Sequence, residues 1–348
     1  MPARPGSPHA RQAVTAFLLA ALAGTVAHAA QSGADTREYR YLMGTSVQVH
    51  AVGGDESARR AAIDEAFAAM AEVDRLMSNY RGDSELSHVN REAARGPVVV
   101  SDPLLRVLEA AQRVSAASSG AFDVTVGPLV RLWGFREKTP HIPTPAELAA
   151  VRPLIDYRSL LIDDGQHTVR FAHAGMDIDL GGIAKGFAVE LAAGVLRAHG
   201  LSGLVDAGGN QFLVGTPPGK PAWSIGIKNP DAADRLMGVI DVAGGSVSTS
   251  ADYATFLVAD GRRYGHLLDP RTLQPSTASL SATVLSDDGT MADAMSTAVF
   301  MLGPADGIAL IDATPGMAGV VAYRAPDGRV GVAVSRRLAG RFHPVEER

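Results

Sequence analysis

The sequence predicts an α+β fold, a single layered domain of mixed or antiparallel sheets with flanking helices. Three observations carry this. Helical periodicity is concentrated in the first half of the chain, strand signals dominate from Gly203 onward, and the two do not alternate as they would in a doubly wound sheet. No repeats, heptads or linkers between independent domains are visible.

Residues 40–52 alternate apolar and polar and read as a strand that includes Met43-Gly44-Thr45. Ile63, Phe67, Met70, Val73 and Met77 then recur at helical spacing, which predicts an amphipathic helix over about 56–78. A second helix is expected near 102–117, and the Pro- and Thr-rich stretch 136–153 reads as a surface connection. Residues 176–180 are read as a strand and 183–199 as a helix. Strands follow at Leu204-Val205, Phe212–Val214, Trp223–Ile227 and Met237–Val242, and Thr249–Tyr253 reads as a polar turn that could line the same site as His266. Helices are expected at 291–302 and 304–312, and a final hairpin turns at Pro326-Asp327-Gly328.

Residues 1–29 read as an export signal, with 30–348 as the functional domain and its core at about 40–335. Arg4 and Arg11 precede the apolar stretch 13–27, and Ala27-His28-Ala29 supplies a small-x-small cleavage pattern. The other reading of this stretch is a buried N-terminal helix. The chain contains no cysteine, which excludes disulfides, thiolate metal sites, a Cys nucleophile and a lipid anchor on cysteine. The exported protein is therefore expected to be soluble and periplasmic. No run after the signal reads as membrane-spanning. The formal net charge of −5 argues against coating nucleic acid, which needs clustered Lys and Arg.

Few motifs carry chemistry alone. Asp293 and Thr297 are four residues apart and share a helical face, offering hard oxygens suited to Mg²⁺. Ser296 points about 100° away from Thr297 and is a weaker ligand. Thr290 and Asp293 equally fit the N-cap and third position of a capping box. Gly181-Gly182 with Lys185 forms a glycine turn before a helix, able to bring backbone amides and a charge to a phosphate. It equally fits a plain strand-to-helix turn. Asp123, in Gly120-Ala121-Phe122-Asp123, suits either a flavin or ribose contact or a local backbone cap. Tyr80 offers a flat face for a base or flavin ring, and His266 titrates near neutrality and suits proton transfer. Neither a Ser/His/Asp elbow, nor HExxH, nor a Walker A loop is present.

Taken in order, the blocks are more specific. They are Met43-Gly44-Thr45, Tyr80 with Asp83–Ser87, Gly120–Asp123 with Val126–Leu129, Asp179–Gly186, Gly208-Gly209, Thr249-Ser250, His266–Thr272 and Ala292–Thr297. This set resembles the ApbE family of flavin transferases over about 40–335. The resemblance implies transfer of FMN from FAD to a threonine of an exported acceptor flavoprotein domain of a membrane redox complex, with release of AMP and dependence on Mg²⁺. It implies that Met43, Tyr80, Ala121, Phe122, Asp123, Asp179, Lys185 and the His266-Leu267 region line FAD. Asp293 and Thr297, with a carbonyl near Gly182 and Ser296, would hold the metal, and Lys185 and His266 would serve catalysis. The chain departs from the family pattern at Ala251, Leu273 and Asn210, where Gly, Gly and Asp are common. Two alternatives use the same site: FAD pyrophosphatase chemistry giving FMN and AMP, and FAD binding without catalysis.

Overall fold

A computed structural model describes residues 35–345 except 138, 140, 253–255, 260 and 261. The expected signal segment lies outside the described residues. Strands β1 (Asp35–Leu42) and β2 (Thr45–Val52) form a hairpin, followed by helices α1 (Glu56–Met77) and α2 (Glu85–Glu92). β3 (Val98–Val99), α3 (Asp102–Ala117), α4 (Gly127–Leu132) and α5 (Pro145–Val151) lead to β4 (Leu160–Asp163) and β5 (Thr168–Phe171). α6 (Ala184–Ala198) precedes β6 (Ser202–Ala207), β7 (Asn210–Val214), β8 (Trp223–Asn229), β9 (Ala232–Val242) and β10 (Gly245–Ala251). β11 (Phe256–Ala259) and β12 (Arg262–Gly265) form one short ribbon, β13 (Leu268–Asp269) and β14 (Gln274–Pro275) another. β15 (Ser281–Ser286), α7 (Gly289–Ala313), β16 (Ala318–Arg324), β17 (Val330–Val334) and β18 (Phe342–Pro344) follow.

The frame is an eight-stranded sheet in the order β1-β2-β6-β7-β10-β15-β16-β17, antiparallel at every pairing. This is the α+β class that the segregated helix and strand signals predict. The main core packs α1, α3, α6 and α7 against it through side chains such as Val49, Phe67, Leu108, Val189, Val205 and Val299. A second core, with Ile227, Ile240, Val247 and Val320, joins the sheet to a smaller one of β18-β9-β8.

Several expectations are corrected. The strand expected over 40–52 is broken at Met43 and Gly44, whose φ values of 52° and 74° make the turn between β1 and β2. Residues 176–180 do not join a sheet. Their backbone is held by side chains instead: Ile178 N donates to Asn90 Oδ1 at 2.8 Å, and Ile178 O accepts from Asn79 and Asn90 at 3.1 and 3.0 Å. The connection 136–153 contains α5, started by a capping box between Thr144 and Glu147. Thr249, Ser250 and Ala251 belong to β10 rather than a turn.

The two helices expected near 291–302 and 304–312 form α7, which kinks at Gly303 (φ 81°) before Pro304. By length and composition α7 could cross a bilayer, contrary to the sequence reading, but most of it is buried here as a core helix. Leu273, where the family pattern favours glycine, sits at φ 61°, a left-handed conformation unfavourable to a side chain. It is held by burial beside Trp133, whose Nε1 donates to the Leu273 carbonyl at 3.1 Å.

Candidate active site

The N-terminal halves of α6 and α7 meet closely and cap one another. Glu190 of α6 accepts from Gly289 N at 2.9 Å and Thr290 N at 3.2 Å at the start of α7. Asp293 of α7 accepts from Gly186 N at 2.8 Å in the first turn of α6. Asp288, not Thr290, is the N-cap of α7, so the capping-box reading of Thr290 and Asp293 does not hold. Asp293 instead satisfies a donor of another helix while lining the cleft. Burial pushes its carboxyl above the ordinary range, against the Lys185 charge and the Gly186 and Lys185 amides.

Asp293 and Thr297 share one cleft of about 420 Å³. The Thr297 hydroxyl is 3.1 Å from Ser250 Oγ on β10. Ser296 is fully buried and does not line the cleft: its hydroxyl donates to the Asp293 carbonyl at 2.8 Å and lies 2.8 Å from Ser250 Oγ. Ser250, which the sequence reading also set beside this site, is the serine that lines the cleft next to Thr297. Gly182 lies against this group, because a Cβ there would stand 3.1 Å from Thr297 Oγ1. Asn210 also lines the cleft, and its Oδ1 is a buried acceptor without a hydrogen-bond partner among the described residues.

The glycine turn is fixed by other groups than expected. Gly181 N donates to Asp179 Oδ1 at 2.9 Å, and Ile183 N and Ala184 N both donate to the Leu180 carbonyl. Most amides of the expected phosphate cradle are therefore already used. Lys185, whose Nζ donates to Gly181 O at 2.8 Å, supplies the positive charge at this end of the cleft. Asp179 is held by Arg136, which bridges it (3.0 Å) to Asp177 (2.9 Å), and Arg131 also pairs with Asp177. Arg136 is largely buried, and breaking a buried pair from one side costs about 3–5 kcal/mol. Arg136→Ala should therefore lose about 3 kcal/mol in urea unfolding, at the low end because Arg131 stays with Asp177.

The opposite walls are Ala121, Phe122, Val126, Val130, Phe135, Leu267, Leu268 and Met301. Asp123 lines the cleft, but its oxygens accept from Thr125 N (2.7 Å), Thr125 Oγ1 (2.7 Å) and Tyr157 N (2.8 Å), so it caps local backbone. Burial still raises its pKa. Tyr80 stands 74% exposed at the mouth. It is shared with an adjoining hollow of about 280 Å³ that also contains Met43 and Asp179. His266 lines the cleft after β12, and its charge and that of Arg263 oppose the burial that raises Asp252. A more open groove of about 1020 Å³ lies on the far side of Arg136, but it contains neither Asp293 nor the hydroxyls.

The oxygens present fit a magnesium ion. They comprise one buried carboxylate and neutral hydroxyls beside a small-residue turn, and Mg²⁺ typically takes one or two carboxylates and completes its shell with substrate phosphates and water. No cluster of three or more His, Cys, Asp or Glu capable of holding a metal occurs among the described residues.

Sequence reasoning placed Ser250 in a polar segment able to line the site but did not single out Arg136, Phe135 or Met301. Ser250 left a signal: Ser246, Ser248 and Ser250 alternate at the strand period and are all buried. Arg136 left none, because its partners lie 41 and 43 residues away.

The fold is an antiparallel α+β layer with a cleft that joins a buried carboxylate, hydroxyls and aromatic walls, and the comparisons say which family builds it. A model of the ApbE family matches residues 43–321. The curated FAD:protein FMN transferase of Treponema pallidum (strain Nichols) is 34% identical over 317 residues, covering 85% of this chain and 87% of that protein. The ApbE protein of Thermotoga maritima superposes with a TM-score of 0.80 at 29% identity, over 88% of this chain and 98% of that one. The flavin transferase ApbE from Vibrio cholerae gives 0.78 at 31% identity, over 88% and 98%. The chain belongs to the ApbE family and is a transferase.

Proposed function

We propose that this chain is a periplasmic FAD:protein FMN transferase that moves FMN from FAD to a threonine hydroxyl of an exported flavoprotein domain, with Mg²⁺ at the Asp293 end of the cleft. The observation that carries the reading is a buried carboxylate, Asp293, beside the Thr297 and Ser250 hydroxyls in a cleft walled by Phe122 and Phe135. The names of the related proteins support FAD as donor. The apolar stretch at 13–27 supports export, and the lack of cysteine supports a soluble protein without a cysteine-linked lipid.

Asp293, Thr297 and the Gly182 carbonyl would hold the ion, with Ser250 bracing the hydroxyl. Bound there, Mg²⁺ supplies neutralisation of the pyrophosphate charge. Tyr80 and the Phe122–Phe135 wall hold the ring systems, and Lys185 offers its ammonium to phosphate oxygen. The acceptor hydroxyl oxygen forms a bond to the phosphorus on the FMN side, the bond from that phosphorus to the bridging oxygen breaks, and AMP leaves with that electron pair. His266, which lines the cleft, would take the hydroxyl proton.

The test is AMP release from FAD with Mg²⁺, with and without an exported acceptor domain. Release that requires the acceptor supports transfer. Equal release without it supports pyrophosphatase chemistry, and FAD retained intact with no AMP supports binding alone.

A further inference from the structure

The β11–β12 ribbon contributes little to the cleft, yet both its ends return there. β10 ends at Ala251 and the ribbon returns at His266, and both residues line the cleft. One ribbon face is seated, with Tyr264 packed 6.0 Å from the Trp133 ring and paired across the ribbon with Leu257. The other face carries Phe256 and Val258, opposite Gly265 and Arg263, and these two apolar residues are 42% and 60% exposed.

This outer face is held in shape from its base. Arg263 lies 3.9 Å from the Phe256 ring centroid and donates to the Asp252 carbonyl at 2.5 Å. Gly265 lets Asp252 pack against it, because a Cβ there would meet the Asp252 Cβ at 2.8 Å. Among the described residues the two strands pair only with each other. An isolated two-stranded ribbon is marginal in water, and exposed apolar residues beside free edges are what proteins ordinarily cover.

We propose that the outer face of this ribbon, Phe256 and Val258 with Arg263, is the docking surface for the acceptor protein. An apolar patch of the acceptor would lie across it while the hydroxyl-bearing segment enters the cleft. This rests on the transferase reading above. A protein acceptor must touch the rim of the cleft, and the ribbon is continuous with that rim through Ala251 and His266.

The test is a double variant, F256S/V258S, with steady-state transfer measured at saturating FAD against an exported flavoprotein acceptor domain. The expected result is a KM for the acceptor raised about 10-fold or more, with kcat within a factor of three and FAD affinity unchanged. An unchanged acceptor KM overturns the proposal, as does a variant whose only change is a lower oligomeric mass, which would assign the face to a second copy of this chain. If the double variant loses FAD affinity, V258D alone decides by the same criterion. Wild-type protein that binds FAD and modifies no acceptor overturns the transferase reading itself, and the docking proposal with it.

Discussion

Asp293→Asn should lower metal-dependent turnover by about 100- to 1,000-fold, the range lost when one preorganised electrostatic group is removed from a reaction that develops charge. Asparagine is the informative replacement. Asp293 accepts from Gly186 N at 2.8 Å and so also caps α6, and an amide oxygen can keep that bond while the charge is lost. Alanine would confound lost chemistry with a lost cap, which alone costs about 1 kcal/mol.

The same variant has a stability signature. Burial raises the folded-state pKa of Asp293 above its unfolded value, so the folded protein binds this proton more tightly. The resulting penalty is absent below the unfolded carboxyl pKa and grows as pH rises toward the folded one. Metal-free Asp293→Asn should therefore unfold at or above the wild-type temperature at neutral pH, and the advantage should vanish in acid. Added Mg²⁺ and FAD should raise the wild-type Tm more than that of the variant. Calorimetry at two pH values, run beside the kinetics, checks both parts. Normal turnover by Asp293→Asn would remove the metal assignment.

Gly186→Ala should be the most damaging single methyl in the protein's site region. A Cβ at Gly186 would stand 2.1 Å from the Gly289 carbonyl oxygen and 2.5 Å from the Asp293 Cβ. Neither is the free end of a flexible side chain, so α6 and α7 must separate. Overpacking of this kind costs about 1–3 kcal/mol and occasionally more. A loss of about 3 kcal/mol corresponds to a Tm drop of roughly 4–5 °C in a domain of this size. The separation also pulls Asp293 from Gly186 N and Glu190 from Gly289 N, so activity should fall with stability. Gly194 in the same helix is the control, because a Cβ there meets nothing within 4 Å. Gly194→Ala should stabilise by about 0.5–1 kcal/mol through helix propensity. Equal Tm values for the two variants would contradict the helix-contact account.

The elements readable in the sequence were those whose own periodicity decides them. The i, i+3, i+4 apolar pattern from Ile63 to Met77 gives α1, and α3 runs over the expected residues. The hairpin of β16 and β17 follows from alternation around an Asp-Gly turn. Residues 176–180 misled because their apolar alternation resembles a strand, while the bonds that hold them come from Asn79 and Asn90 far away in sequence. The site divides in the same way. Asp293 and Thr297 share a helical face, which spacing reveals. Their joining to Ser250 depends on β10 packing beside α7, and Asp293 capping α6 depends on two helices meeting at glycines. Asp123 and the glycine turn show the converse. There the sequence allowed both a ligand and a backbone role, and the structure fills the backbone role.

The most direct test of the central claim is intact-mass and peptide mass spectrometry of an exported acceptor domain incubated with this protein, FAD and Mg²⁺. The account predicts one added FMN on a threonine of the acceptor, matched by AMP, formed about 100- to 1,000-fold more slowly with Asp293→Asn and absent when the metal is chelated. An acceptor that keeps its mass while AMP accumulates, or while FAD stays bound and intact, would contradict it.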